Sequence, residues 1–362
     1  MSKSKNKISR FWVNEYIEHI KCNVIEHASY SAARAQLLSL VSVCNGGETI
    51  VLTGPSYSGK SKLITEFEEL CNRPFKNDLL RKRPAVSVSV GNKSHAGAFA
   101  TKDFTLDMLE KLGHPGFVLD SQNLATNLET IQRRSSHTNS MLSQVMQNTL
   151  EVLKVEFLII DEAQLLELIQ GGPDAAAKVL INLKDICSDA NCILILTGAY
   201  PILDMLLPIP HLLSREFLVD IRRYRSSDDL DLLEFEKLLE WYSSGLVFEN
   251  QVTSLREWNQ FLYQVSYGVI GNLSHLIRGA LANMQAVGDV ALDVRHFEAS
   301  LRPAAHFKSM QYEIDTGEAF IDGLYTAVDA NTIHRSSSNP ANDRFLRPFQ
   351  PKTKRYLKGS RV

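Results

Sequence analysis

No stretch of this 362-residue chain stays apolar for the ~20 residues that a membrane-spanning helix needs. The basic start runs into "FWVNEYIEHIKCNVIEH", which charges interrupt too often for a secretory leader. Cysteine is sparse: Cys22, Cys44, Cys71, Cys187 and Cys192 are scattered, odd in number and form no C-x-x-C pair. That pattern excludes a disulfide or zinc framework and fits a reducing cytoplasm. His95, His114 and His137 belong to no H-x₃-H or Cys/His cluster, and neither a G-x-S-x-G elbow nor an N-K-x-D guanine-reading motif occurs. No internal repeat is found. Net charge is also nearly absent, at -2, so the field of the whole chain neither draws nor repels nucleic acid.

Charge is instead concentrated at the ends. Residues 1–10 carry Lys3, Lys5, Lys7 and Arg10 without an acid, and residues 331–362 carry eight Lys/Arg against Asp343 alone. Both ends read as basic arms on a near-neutral body. The body is 44% hydrophobic and 22% charged, a soluble globular composition, and the length allows two domains.

Along the body, residues 11–44 read as one helix, with Ala33, Leu37, Leu40 and Val41 on its apolar face. Apolar runs then mark strands at "ETIVLTGP", "RPAVSVSVG", "VEFLIIDEAQLL", "NCILILTGAY" and "FLVDIRRY", with helical patterns between them. Such alternation predicts a mostly parallel sheet covered by helices on both faces. From about Arg225 the strands stop and helical patterns continue to about residue 310. The expected division is residues 1–27 as basic arm and helix, 28–224 as an α/β domain, 225–310 as a small helical lid, and 311–362 as an extended basic tail.

"LTGPSYSGKS" lies between the first strand and a helix and fits G-x-x-x-x-G-K-[ST] through Gly54, Gly59, Lys60 and Ser61. In that setting the loop Gly54, Pro55, Ser56, Tyr57, Ser58 and Gly59 wraps phosphates with the backbone N–H groups of its non-proline residues, with Lys62 just beyond. Lys60 reaches the β- and γ-phosphates and the Ser61 hydroxyl ligates Mg²⁺. Asp161 ends a buried strand about 100 residues later, in position to hold Mg²⁺ with Ser61, and Glu162 follows as a general base. Two adjacent carboxylates at a strand end could instead cap the following helix, which is the lesser reading. Thr197 ends the strand "CILILT", where it bonds an attacking water or satisfies a strand-end backbone group.

In this order the parts resemble an AAA+ ATPase over residues ~30–310. The resemblance implies ATP and Mg²⁺ as ligands, an AAA+ P-loop NTPase fold with five parallel strands ordered 5-1-4-3-2, and a small all-α lid. It gives Thr197 a sensor role and Arg215, in "LLSREF", the role of a finger reaching a neighbouring subunit, with Arg222, Arg223 and Arg225 near enough to compete. Arg278, in "GNLSHLIRGAL", would reach the γ-phosphate from the lid. A solvated salt-bridge arginine is the plainer reading for each.

"HASYSAARAQLLSLVSV", "GPSYSGKSKL", "EKLGHP", "FLIIDEAQLL", "LLSREF" and "GVIGNLSHLIRGAL" further resemble the transposition ATPases TniB and TnsC. The lid start is matched by Gly268, Ile270 shifted by one, Gly271 and Leu273. Pro55 and Tyr57 stand where many relatives carry small residues.

This resemblance implies a bacterial, nucleoid-associated ATPase that assembles into rings or filaments on duplex DNA without sequence preference. Its further partners are transposase subunits, docked through the basic tail with Phe345, Phe349 and Tyr356, and a target selector. Lys93 and Lys102, after the second strand, are the implied DNA contacts, or else ordinary solvated lysines. Two other classes compete. One is an ATPase switch in secretion or phage defence that acts on a protein without DNA. The other is a replication initiator or helicase loader, for which residues 311–362 look too short and too polar to supply a winged helix.

Overall fold

The computed structural model describes residues 12–18, 20, 26–75, 82–91, 101–117, 137–168, 173–206 and 216–326. The chain divides into two compact units, Met1–Ile314 and Asp315–Val362.

The first unit is built on strands β1 (Thr49–Thr53), β2 (Ala85–Ser89), β3 (Phe157–Asp161), β4 (Ile193–Thr197) and β5 (Glu216–Asp220). They form one sheet ordered β2-β3-β4-β1-β5, the expected order read from its other edge. Every pairing is parallel, with Leu52 opposite Thr197, Thr53 opposite Asp220 and Ser89 opposite Asp161. β1 and β4 are buried at all five positions. A strand covered on both faces has no polar side to alternate with, hence the unbroken aliphatic runs in the sequence.

Between strands run α1 (Ala28–Val43), α2 (Lys60–Asn72), α3 (Thr101–Lys111), α4 (Asn139–Leu153), α5 (Pro173–Asp189) and α6 (Pro201–Leu206). Parallel strands require such crossovers. One core joins α1 and α2 to the sheet through Tyr30, Leu37, Leu63 and Phe67 against Ile50, Leu52 and Phe157. The Phe67 and Phe157 rings meet edge-on at 5.1 Å.

After β5 come α7 (Asp229–Ser243), α8 (Asn259–Ser266), α9 (Ile270–Val287), α10 (Val294–Glu298) and α11 (Ala304–Thr326). Phe235, Leu239, Leu273, Ile277 and Phe297 form a second core, and Tyr224 leads the chain into it.

Three local expectations are corrected. The helix expected over 11–44 is broken at His27, which is extended and caps α1 by accepting the Tyr30 N–H on Nδ1 at 3.2 Å. Residues 12–18 form a separate helical stretch whose Val13 and Tyr16 enter the second core, where the Tyr16 hydroxyl donates to the Tyr242 carbonyl at 2.9 Å. Both flanks are good helix formers, so only the tertiary pull of two cores reveals the break.

The fifth strand ends at Asp220 rather than Tyr224, because the Tyr224 N–H bonds the Gly268 carbonyl at 3.0 Å and leaves the sheet. Residues 311–326 continue helix α11 instead of starting an extended tail, since Phe307, Met310 and Ile314 recur at helical spacing. In the second unit, the described residues 315–326 are the last turns of that helix. Residues 1–11 and 327–362, which hold the two basic arms, lie outside the described residues. Among the described residues no helix is long and apolar enough to cross a membrane.

Burial pushes the His27 pKa from 6.5 down to about 4. Between those values the unfolded chain binds a proton that the folded chain refuses, so the stability held by the neutral ring is complete above pH 6.5 and lost towards pH 4. Urea unfolding at a series of pH values should show a steeper loss over this window in the natural chain than in His27→Asn, which keeps a capping side chain without the titration.

Candidate functional site

The carboxyl ends of the strands converge on the loop 54–59 between β1 and α2, the crevice in which open α/β sheets bind ligands. Lys60, the first residue of α2, is 7% exposed, and its ammonium donates to the carbonyls of Gly54 at 3.0 Å and Pro55 at 2.7 Å. Burial lowers its pKa to about 8, while the carboxylates of Glu162, Glu313, Asp161 and Asp220 pull the other way. Ser61 and Lys62 follow on the exposed side of the first turn, and Lys62 pairs with Glu66 at 3.5 Å.

Asp161 closes β3 and accepts the Glu162 N–H on Oδ1 at 2.9 Å. Glu162 has a positive φ of 56°, which turns the chain out of the strand. Thr197 closes β4, fully buried, with no hydrogen-bond partner for its hydroxyl, and the same holds for the Thr53 and Ser58 hydroxyls beside the loop. Buried hydroxyls are seldom left unmatched. The three stand at the carboxyl ends of β1 and β4 and in the loop after β1, and that loop also borders a pocket that none of the three lines.

The pocket has a volume of about 550 Å³ and is lined by Ser56, Tyr57, Gly59, Lys60, Ser61, Lys62, Glu162, Ala199, Gly271, Ser274 and Arg278. The loop residues, Glu162 and Arg278, more than 200 positions apart in sequence, thus share one cavity. Arg278 is exposed on α9, its Nε donating to the Ser274 carbonyl at 3.4 Å.

The helical region is fastened to the loop. The Gly271 N–H donates to the Tyr57 carbonyl at 3.2 Å, and a Cβ at 271 would lie 2.3 Å from that oxygen. Tyr57 takes a positive φ of 67°, its ring exposed beneath the Arg302 guanidinium at 5.7 Å. The Ser56 hydroxyl donates to Glu313 at 3.4 Å.

Other sequence-predicted residues do not line this cavity. Arg223 stacks on Tyr267 at 4.1 Å, Arg225 donates its N–H to Asp231 at 2.9 Å, and Arg222 is exposed. Lys102 sits in the first turn of α3. Arg215 and Lys93 lie outside the described residues. Sequence reasoning missed Gln164, Ala199, Ser274 and Glu313. Gln164 alone carried a signal, standing two residues after Glu162.

The donor set fits magnesium: a hydroxyl and a carboxylate are hard oxygen ligands, of the kind and number that Mg²⁺ takes from protein. Among the described residues no group of three or more His, Cys, Asp or Glu is close enough to hold another metal.

Residues 44–206 match the family model of an AAA domain, somewhat less than half of the chain. With the sheet order, this identifies an AAA+ P-loop NTPase fold followed by a helical region. No curated protein matches the sequence. Among solved structures, the ORC2 protein of Aeropyrum pernix in its ADP form is similar with a TM-score of 0.47 at 16% identity, over 74% of this chain and 65% of that one. This chain therefore spans just under two thirds of that protein. A Walker-type ATPase of Pyrococcus abyssi gives 0.46 at 15% identity, over 84% and 76% of the two chains. Domain III of the Thermotoga maritima replication initiation protein DnaA gives 0.46 at 12%, over 77% and 95%.

Gly271→Ala should force α9 off the loop. The expected cost is about 1–3 kcal/mol, typical of overpacking, read as a lower urea midpoint with an unchanged slope.

Proposed function

From an AAA+ P-loop NTPase fold as premise, we propose that this chain is an ATP-dependent regulator of DNA transposition that self-assembles on duplex DNA and engages a transposase and a target selector. The observation that carries the nucleotide part is the single cavity shared by Lys60, Ser61, Glu162 and Arg278. The transposition part rests on the resemblance of the motifs in their order along the chain.

ATP is the substrate. Loop N–H groups and the amino end of α2 receive its phosphates, and the Lys60 ammonium exchanges the carbonyls of Gly54 and Pro55 for phosphate oxygens. Ser61 and Asp161 would hold Mg²⁺, which neutralises phosphate charge when bound. Glu162 takes a proton from water as the water oxygen bonds to the γ-phosphorus. The bond to ADP then breaks with its electron pair on the leaving oxygen. Thr197 offers its unmatched hydroxyl to that water, and Arg278 places positive charge beside the γ-phosphate. Arg215 serves the site of a neighbouring copy. Lys93 and Lys102 touch DNA phosphates, and the tail from residue 327 docks transposase.

Negative-stain microscopy with duplex DNA tests this directly, comparing a slowly hydrolysed ATP analogue with ADP. Rings or filaments on DNA with the analogue alone, absent in Lys60→Ala, are expected. Monomers under every condition, with no DNA retained, would transfer the weight to a switch that acts on a protein partner.

A pH test reads Lys60 alone. Phosphates beside the ammonium favour its charged form, so binding takes up a proton once the free lysine begins to lose one near pH 8. Affinity for a fluorescent ATP analogue should be level below pH 8 and fall as pH rises beyond it. Lys60→Arg, charged throughout, should bind more weakly but without that fall.

A further inference from the structure

The Gln164 carboxamide ties Glu162 to the end of the strand beside it. Its Nε2 donates to Glu162 Oε2 at 2.6 Å, and its Oε1 accepts the Ala199 N–H at 3.2 Å. Ala199 lies two residues beyond Thr197, so a single planar group spans the carboxyl ends of β3 and β4. The site is built for it. Gln164 stands in a 3₁₀ turn over Ala163–Leu168, anchored by Ala163 and Leu166, both fully buried. Gly198 gives it room, for a Cβ there would lie 2.2 Å from Gln164 Oε1.

We propose that Gln164 is a positioning residue for Glu162, fixing one carboxylate oxygen so that the other faces the attacking water in register with Thr197. The inference rests on the hydrolytic reading above and assigns a positioning residue to that same site. A carboxylate on three rotatable bonds samples many directions, and a general base is useful only within hydrogen-bond reach of the proton it takes. Holding Oε2 through Gln164 removes that freedom and leaves Oε1 for the water. The backbone adds to this constraint, with Glu162 at a positive φ.

The chemistry demands glutamine. Donor and acceptor are both needed, one on each end of the carboxamide. Asparagine is a methylene shorter, leucine offers neither group, and glutamate keeps an acceptor for the Ala199 N–H but sets its other acceptor against Glu162. Protonation alters that last case, because a carboxylic acid regains one donor and one acceptor. Two carboxyl groups at this distance share a proton readily, each raising the other's pKa.

The test is steady-state ATP hydrolysis by the full chain, with and without duplex DNA, over a pH series. Gln164→Leu is expected to lower kcat by about 10- to 100-fold with KM within about threefold, since only a step after binding uses the group. Glu162→Gln should lose more, and adding Gln164→Leu to it should cost nothing further, because Gln164 acts through Glu162. Gln164→Glu should be poor near neutrality and recover as pH falls, a rise that the natural chain does not show. A merely structural role would move thermal stability and KM without this pH signature.

An unchanged kcat in Gln164→Leu, additive losses in the double variant, or no recovery of Gln164→Glu at low pH would each overturn the positioning role while leaving hydrolysis intact. An absence of turnover in the natural chain that still binds the fluorescent ATP analogue would overturn the hydrolytic reading and this inference together.

Discussion

A buried cation sets the terms for the rest of the molecule. Lys60 sits almost fully inside the protein, its ammonium bonded to two carbonyls of its own loop. Taking a charge out of water is costly unless opposite charge lies near. That charge comes from Asp161 and Glu162 at the end of β3, from Asp220 at the end of β5, and from Glu313 on α11. β1 must therefore lie where the ends of β3 and β5 and the helical region can reach its loop. The strand order satisfies this by placing β1 between β4 and β5, with β3 one strand further. The same arrangement that makes the lysine tolerable while folded also makes it available to phosphates.

The second constraint is the seam between the helical region and the loop. Gly271, Arg302 and Glu313 fall on two adjacent loop residues, Ser56 and Tyr57. Tyr57 holds a backbone conformation that a tyrosine rarely adopts, and its carbonyl is thereby turned towards α9. A change in the loop is consequently a change in the footing of α9, which also carries Arg278 into the cavity. Loop and α9 thus form one mechanical group rather than two separate parts.

Much of this was legible in the sequence because it is written locally. The phosphate loop is eight consecutive residues, and each buried strand is an aliphatic run whose helix-bearing crossovers dictate parallel order. The position of Asp161 and Glu162 at the end of β3 was readable for the same reason. What escaped is non-local. Gln164 is defined by a backbone N–H 35 residues away, and Gly271 by a carbonyl at Tyr57 in another lobe. His27 stands between two helical patterns, and nothing near it tells that one belongs to the sheet core and the other to the helical core. Helix α11 was hidden by a tail composition that begins only after it.

The N-terminal helical stretch has a consequence for how the protein is made. Its Tyr16 bonds to Tyr242, 226 residues later, and Val13 shares the same core. At ~5–20 residues per second of synthesis, those partners emerge roughly 10–45 s after the stretch itself. For that interval Trp12, Val13, Tyr16 and Ile17 have no native surface to cover them. A segment made early is thus among the last to find its place, and the growing chain carries an apolar helix in the open until its distant partners arrive.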